Sequence, residues 1–534
     1  MVRNIYKLVI VLLAGCLFYT CSETQDEHFN RSDSLPDRTL RELIAGNSDL
    51  SAFSKVIETA GYNDLLSSSQ TFTVWAPNNN ALSDVNVNSI TKEEARLIVE
   101  NHTARFNHST SKNPLLPVQM RSNKVYYFSE GGNTFGGAPL QSRDVIAQNG
   151  ILHTLQSPIQ YFPNIYEYIL TSPNTSKMAE FISQFEEYII DPLSIEADGT
   201  IRDTVYIRRN NLLDLQGTWN WFGSYVSAGL GQINKEDSVY TALIPNNDAW
   251  DAAYARISPY FRAARNDEAT QRFQTHLAIV EDLFFRGRIE NPAEADTLVT
   301  TSPSVIRQPA TLFDGTQKIQ ASNGLIFLTE NNVNYTAQET FMKPIYVEAD
   351  EPEGRRVGNN NTTILPRVMD GALSDMATNS RFLEVFQTNL DDNMENQPRV
   401  TFDLPQVLAG RYNIYAEFLP GELVRQGDPR ATKFRCTLNY QNANGNIASS
   451  IANNIETSAT EKVKVLLFGN FNFPVANYYD RSWRADFLRG LYTLDERVVP
   501  TKLEIAVRIT AAEYNSRQFG RSYCIDRIIL EPVN

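Results

Sequence analysis

Apolar residues recur every three or four positions early in the chain. Leu50, Phe53, Val56, Ile57 and Ala60 fall on one side of a helix, and Gly61 supplies its stop. At "TFTVWAP", residues 71–77, the period shortens to two, which predicts a strand. Pro77 cannot donate to a ladder, so the strand ends there, and Asn78 to Asn80 are suited to bond nearby backbone and cap the next turn. "TKEEARLIVENH" opens with a capping box, Thr91 with Glu94, and gathers Ala95, Ile98 and His102 on one side. "VIAQNGILHTL" predicts a hairpin hinged at Asn149-Gly150.

The pattern then returns. "VYTALIPNNDAWDA", residues 239–252, repeats the strand, the proline and the asparagines, and Asn323-Gly324 repeats the hairpin. Pro77 to Asn149 is 72 positions and Pro245 to Asn323 is 78, while His102 and His276 each stand 47 before their Asn-Gly. This spacing makes His102 and His276 equivalent and puts the extra residues of the second copy ahead of its helix. One unit is therefore expected twice. Ahead of the second proline some forty further residues are inserted, near 187–235. They include Trp219, Trp221 and Tyr225, which read either as an exposed aromatic platform for a sugar ring or as one strand face packed on the core.

From residue 348 a polar stretch, "EADEPEGRRVGNNNTT", marks a boundary. Beyond it strands come one after another: "RVTFDLP", "GRYNIYAEFLP", "TKFRCTLNY", "KVKVLLFGNFNF", "TKLEIAVRIT" and "YCIDRIILEPV". Leu503, Ile505, Val507 and Ile509 alternate cleanly, so an antiparallel β-sandwich is expected. Cys436 and Cys524 fall in two of these strands, and both a disulfide and two separate buried thiols fit them. The aromatic connection 470–492 offers Tyr478, Tyr479, Trp483 and Arg484 as a second candidate contact surface, or as a loop folded over the core.

The two copies resemble the fasciclin-like domain. Its "TVFAPTNEAF"-like strand-turn stands here as Thr73 to Ala81, its helical histidine as His102, and its "NGVIHVID"-like strand as Asn149 to Thr154. The second copy departs from the pattern, with Leu243-Ile244 for the aromatic-Ala pair and Phe327 for the motif histidine. The resemblance covers roughly residues 36–345 and implies a compact α+β fold used for extracellular adhesion and binding, without catalysis. The closing "CIDRIILEPV" is similar to the last strand of jelly-roll carbohydrate-binding modules.

A chain of 534 residues exceeds what one core can organise, and 42% hydrophobic with 21% charged residues is ordinary for globular domains. A net charge of −14 leaves no basic stripe for nucleic acid. At the N-terminus, Arg3 and Lys7 precede an apolar run, Leu8 to Leu13, that is too short for a membrane span and reads as a signal peptide. "LAGC", ending at Cys16, is the better lipid-attachment signal. "FYTC", ending at Cys21, is followed by "SETQDE", which resembles the export signal of surface lipoproteins in Bacteroidetes-type bacteria. Lipid on Cys21 leaves an even pair of cysteines and is preferred. Cys16 is the alternative, and an ordinary cleaved signal peptide also fits.

Candidate catalysis is thin. His28, His102, His108, His153 and His276 show no metal-pair spacing, and neither a G-x-S-x-G elbow nor a phosphate-cradling motif occurs. No catalytic residue, metal or cofactor is expected. The domains expected are 1–21 signal and lipidation site, 22–36 tether, 37–160 and 161–347 fasciclin-like, and 348–534 β-sandwich. Function is expected to be non-catalytic capture of a glycan at the outer surface of the outer membrane. The resemblance implies a SusC/SusD-type importer as partner, with an adhesion or assembly subunit binding a protein as the alternative.

Overall fold

The computed structural model describes residues 37–110, 117–190, 206–213, 218–219, 225–226, 230–330, 332–369, 371–477 and 501–533. These form two compact units that meet in sequence at Phe162 and Pro163, and each has its own core.

The first unit opens with α1 (Leu40–Ala45), capped by a Thr39–Glu42 box, then α2 (Ser51–Ala60) and α3 (Asn63–Ser67). Leu50, Phe53, Val56, Ile57 and Ala60 are all buried, and Gly61 ends α2 in the left-handed region, as the spacing predicts. Next come β1 (Phe72–Pro77), α4 (Lys92–Asn101), β2 (Thr103–Arg105), β3 (Phe128–Ser129), β4 (Thr134–Phe135), β5 (Ala138–Ala147) and β6 (Gly150–Leu155). They assemble one sheet in the order β2-β1-β6-β5-β4-β3. β1 and β6 run parallel in its middle, buried at every position, which is why both read as near-continuous apolar runs.

The paired asparagines after Pro77 have separate tasks. Asn78 Oδ1 accepts from the Ala81 amide at 2.8 Å and caps the adjoining turn. Asn79 reaches back instead: its Oδ1 accepts from the Ala52 amide at 2.9 Å and its Nδ2 donates to the Ser48 carbonyl at 2.9 Å, closing the start of α2. Asn149 is a third clamp. Its Oδ1 accepts from the Leu40 amide at 2.8 Å, and its Nδ2 donates to the carbonyls of Leu66 (2.9 Å) and Ser68 (2.7 Å). The expected hairpin is present, but its two-residue turn is Gln148-Asn149, and Gly150 already belongs to β6. Glycine is required there by crowding: with φ 154° a Cβ would lie 1.8 Å from the Phe72 carbonyl oxygen across the parallel ladder.

The second unit begins with α5 (Ile165–Thr171) and α6 (Ser176–Ser183), then a hairpin of β7 (Glu186–Ile190) and β8 (Tyr206–Asn210). After it come β9 (Tyr240–Pro245), α7 (Asn247–Ile257), α8 (Glu268–Glu281), β10 (Phe284–Arg286), β11 (Gln317–Ala321) and β12 (Gly324–Thr329), with sheet order β10-β9-β12-β11. The β9–β12 pair is parallel in the register of β1–β6. The clamps recur as well. Asn246 caps Ala249 (2.8 Å), Asn247 accepts from Lys177 (3.0 Å), and Asn323 holds Ile165, Ile233 and Lys235. Gly324 faces the Tyr240 carbonyl as Gly150 faces that of Phe72.

These registers correct the histidine alignment. Trp75 donates its amide to the His102 carbonyl, and the matching bond runs from Leu243 to Leu283, both at 2.9 Å. His102 therefore corresponds to Leu283, and His276 sits two turns earlier in a longer helix. The shared interval of 47 arises because the helix is longer and the loops after it shorter. His102 is a core group: Nδ1 meets the Ile98 carbonyl at 2.8 Å and Nε2 accepts from the Ile159 amide at 2.9 Å. His276 packs on Phe181, Trp250 and Tyr254.

The rest of the second unit is an all-β sandwich. It comprises β13 (Ile345–Glu348), β14 (Arg355–Val357), β15 (Thr362–Val368), β16 (Arg381–Gln387), β17 (Arg399–Leu404), β18 (Gly410–Leu419), β19 (Lys433–Gln441), β20 (Ile447–Glu456), β21 (Val463–Phe473), β22 (Thr501–Val507) and β23 (Ser522–Pro532). Sheet A has the order β15-β16-β23-β18-β21 with β13 also on β23, and sheet B the order β14-β17-β22-β19-β20. The polar segment from 348, expected to mark a boundary, starts on the last residue of a paired strand. Between the sheets Phe418 stacks on Phe434 (4.9 Å, 11°) and Tyr523 meets Phe434 edge-on at 4.8 Å. The alternating Leu503, Ile505, Val507 and Ile509 are all fully buried. One continuous cluster of buried side chains runs from Ile165 to Leu530, so the α+β part and the sandwich share a core.

Truncating Asn149 strands the Leu40 amide, the buried Leu66 carbonyl and the half-buried Ser68 carbonyl, so Asn149→Ala is expected to destabilise the first unit by about 2–3 kcal/mol, read from the urea midpoint. Burial lowers the His102 pKa to about 4, only partly opposed by its bond to Ile98. With the unfolded value near 6.5, stability from this neutral ring is complete above pH 6.5 and is lost as pH falls toward 4. The expected loss is about 3 kcal/mol over that window, removed by a neutral replacement and measurable by denaturation at stepped pH.

Candidate ligand-binding face

The outer surface of sheet A is set by strand alternation. In β18, Tyr412, Ile414, Ala416 and Phe418 turn inward and are buried, which sends Asn413, Tyr415 and Glu417 outward. In β23 a bulge at Asp526 lets Ile525 and Ile528 both face the core, leaving Arg527, Ile529 and Glu531 outward.

Register then aligns these residues into rows across the strands. Tyr346 of β13 lies opposite Ile529, Ile529 opposite Tyr415, and Tyr415 opposite Leu466 of β21. Tyr346 is 53% and Leu466 47% exposed, and Ile529 is buried at 2% among them. The next row alternates in charge: Glu348, Arg527, Glu417, Lys464. The rows are joined, because the Arg527 guanidinium lies 5.1 Å from the Tyr346 ring and the Lys464 ammonium 4.3 Å from that of Tyr415.

The charges are held by one another. Arg527 Nε donates to Glu417 at 2.9 Å, while Lys462 Nζ lies 3.3 Å from Glu417 and donates to Asp526 at 2.9 Å. Asp526 is fully buried and also accepts from the Thr378 amide at 2.9 Å. Burial works against ionisation of Glu417, but the bond from Arg527 and the charge of Lys462 outweigh it and hold its carboxyl below the usual range. Glu348 goes the other way: burial, and next the repulsion of Asp526, raise it. The other half of this face is covered. Cys524, Leu419 and Phe382 are buried there with Met369, Ala377 and Val424 in a separate apolar cluster. The open half is a flat strip of two tyrosines and a leucine beside a row of ordered donors and acceptors.

The residues expected from the sequence fall elsewhere. Trp219 and Tyr225 lie opposite each other in a short strand pair whose side chains are outside the described residues. Trp221, Tyr478, Tyr479, Trp483 and Arg484, with the lipidation candidates Cys21 and Cys16, are also outside them. Of the two readings open for Cys436 and Cys524, the structure has the separate buried thiols: Cys436 faces the core from sheet B and Cys524 lies on the outer side of sheet A. Burial pushes Cys436 up to about 12 and raises Cys524 as well, so neither is a reactive thiolate. Sequence reasoning does not find Tyr346, Tyr415 and Arg527, although the alternation of "YNIYAEF" carries the signal for Tyr415 and Glu417.

In the first unit Trp75 is fully buried, stacked on Phe135 (4.0 Å, 8°) and on His153 (5.4 Å, 17°), its register partner in β6. His153 Nδ1 accepts from the Asp144 amide at 3.2 Å, and Nε2 meets the His108 carbonyl at 2.9 Å. Burial lowers its pKa. In the second unit the corresponding pair is Leu243 and Phe327. The motif histidine is thus a core polar group with both nitrogens engaged. Among the described residues no group of three or more His, Cys, Asp or Glu could hold a metal ion.

Arg527→Gln removes the main partner of Glu417 and is expected to cost about 2 kcal/mol, with the Glu417 carboxyl titrating at higher pH. Thermal unfolding and carboxyl NMR titration read the two effects.

Human Stabilin-1 is 27% identical over 165 residues, 28% of this chain and 6% of that protein, so the chain spans only a small part of it. Among solved structures, a fasciclin domain pair from the insect cell adhesion molecule Fasciclin I is 14% identical, covering 55% of this chain and 99% of its own at a TM-score of 0.21. A xylan-binding domain of carbohydrate-binding module family 22 covers 35% and 92% at 10% identity and 0.20. A family 35 carbohydrate-binding module from Clostridium thermocellum covers 36% and 99% at 12% and 0.20. Residues 48–161 match the family model of the fasciclin domain, and the first unit accordingly contains a fasciclin domain.

Proposed function

We propose that this chain is a non-catalytic binding protein that captures a polysaccharide or oligosaccharide on the open half of the sheet A face. The observation that carries this reading is the row Tyr346–Ile529–Tyr415–Leu466 beside the row Glu348–Arg527–Glu417–Lys464. A sugar ring has a flat C–H face and a rim of hydroxyls. Exposed rings take the first at low entropic cost, and fixed charges that both donate and accept take the second. The grip is binding alone, with no bond made or broken in the ligand.

Three wider elements belong to the proposal. The α+β part of the second unit is read as a second fasciclin-like repeat, supported by the recurring Pro-Asn-Asn and Asn-Gly clamps. The chain is read as lipid-anchored at the outer face of the outer membrane through Cys21, or Cys16, from its first residues. A SusC/SusD-type importer is the partner that such a capture protein would serve. Mass spectrometry of the mature N-terminus decides the anchor, and co-purification from the native membrane decides the importer.

One observation favours the other reading, an adhesion or assembly subunit. Phe106 is 71% exposed in the left-handed region (φ 67°), its carbonyl fixed by the Thr73 hydroxyl at 2.7 Å. A stable protein partner lost on Phe106→Ala, with every glycan failing to bind, would replace the glycan reading.

In affinity gels and calorimetry against a polysaccharide panel, Tyr346→Ala and Tyr415→Ala are each expected to weaken binding about tenfold with little change in Tm. A panel bound equally by both variants and the unaltered chain removes this face as the site.

A further inference from the structure

A cleft of about 420 Å³ lies beside β13 in the second unit, within the roughly 300–1,000 Å³ typical of ligand pockets. One wall is a stripe of α8, where Gln274, Leu277, Ala278 and Glu281 follow helical spacing. The other side is built by Phe341 and Lys343 on the approach to β13, by Tyr346 within it, and by Gln406 in the turn between β17 and β18. Tyr346 is shared: it lines the cleft and begins the exposed row on sheet A.

Two observations set this cleft apart from a packing gap. Gln274 is only 6% exposed, yet its side-chain oxygen has no hydrogen-bond partner among the described residues. A buried acceptor left in that state is a standing cost to the fold. Gln406 occupies the left-handed region (φ 53°), which a glutamine adopts only when its surroundings hold it. Both sacrifices face the same cleft. Lys343, its cation, donates to the Ser304 hydroxyl at 2.7 Å. The groups that face a ligand here include the unmet amide oxygen of Gln274 and the rings of Phe341 and Tyr346. An unmet acceptor between aromatic walls suits an uncharged ring rich in hydroxyl donors, and with Lys343 of the lining already engaged by Ser304 the cleft does not favour an anion.

We propose that the cleft is an end subsite for the terminal sugar ring of a neutral oligosaccharide whose further units lie along the sheet A face, with Tyr346 as the junction. This rests on the glycan reading of that face and adds a place where the chain stops. The Gln274 oxygen accepts a ring hydroxyl, completing the hydrogen bond that the fold leaves open.

Gln274→Met keeps volume and removes the acceptor. Calorimetry against β-1,4-linked xylo-, manno- and gluco-oligosaccharides from disaccharide to hexasaccharide is the test, with thermal unfolding alongside. The variant is expected to keep or raise Tm, since an unmet buried acceptor is gone, and to bind the hexasaccharide about tenfold more weakly. Tyr415→Ala is expected to weaken the same ligand through the open face. If the unaltered chain binds, Tyr415→Ala weakens it and Gln274→Met matches the unaltered chain at every length, the end subsite is overturned while the face stands. If the unaltered chain binds no member of the series, the glycan reading falls and the subsite with it.

Discussion

Both α+β parts depend on a backbone carbonyl approaching where a side chain would normally stand. Across the parallel ladders, the Phe72 carbonyl sits 1.8 Å from the place of a Cβ on Gly150, and the Tyr240 carbonyl 1.7 Å from that on Gly324. Only glycine lets the two central strands come together. The asparagine before each glycine then clamps other segments to the hairpin: α1 and α3 in the first part, α5 and the turn at Ile233 and Lys235 in the second. Strand pairing and helix placement are therefore set by adjacent residues. A slip of one position would bury a Cβ in a carbonyl and unhook the helices at once.

Much of this was legible in the chain, because the elements signal locally. The α2 stripe, the Thr91–Glu94 box, the strand ending at Pro77 and the alternating β22 all emerged from spacing and residue type alone. The reasons were less visible. Asn-Gly reads as a turn, yet its glycine answers a strand more than seventy residues away. The matched histidine interval arose from two length changes that offset each other, which no one-dimensional count can separate. β20 gives little strand signal because "IASSIANNIE" is an edge strand with small and polar residues on both faces.

The candidate face was less legible still. Its rows are made of residues from four strands, 346, 415, 466 and 529, that only register brings together. The bulge at Asp526 also shifts the alternation of β23 in mid-strand, so the outward set cannot be counted from either end. Tryptophans attract notice in a sequence. The tyrosines here are ordinary by composition and acquire a role through what lies opposite them. The shared core that runs from the α+β part into the sandwich has a related effect, since it fixes α8 and β13 as opposite walls of one cleft.

The alternating row has an electrical consequence. The chain carries a net charge of −14, so at a distance it repels polyanions. The row Glu348, Arg527, Glu417, Lys464 sums to zero across the sheet, and its field decays within a few ångströms as neighbouring charges cancel. An uncharged polymer is neither steered nor turned away, and it meets the ordered charges only at contact. Association there is set by diffusion and shape and changes little with ionic strength, whereas an acidic polymer is held off until salt screens the chain.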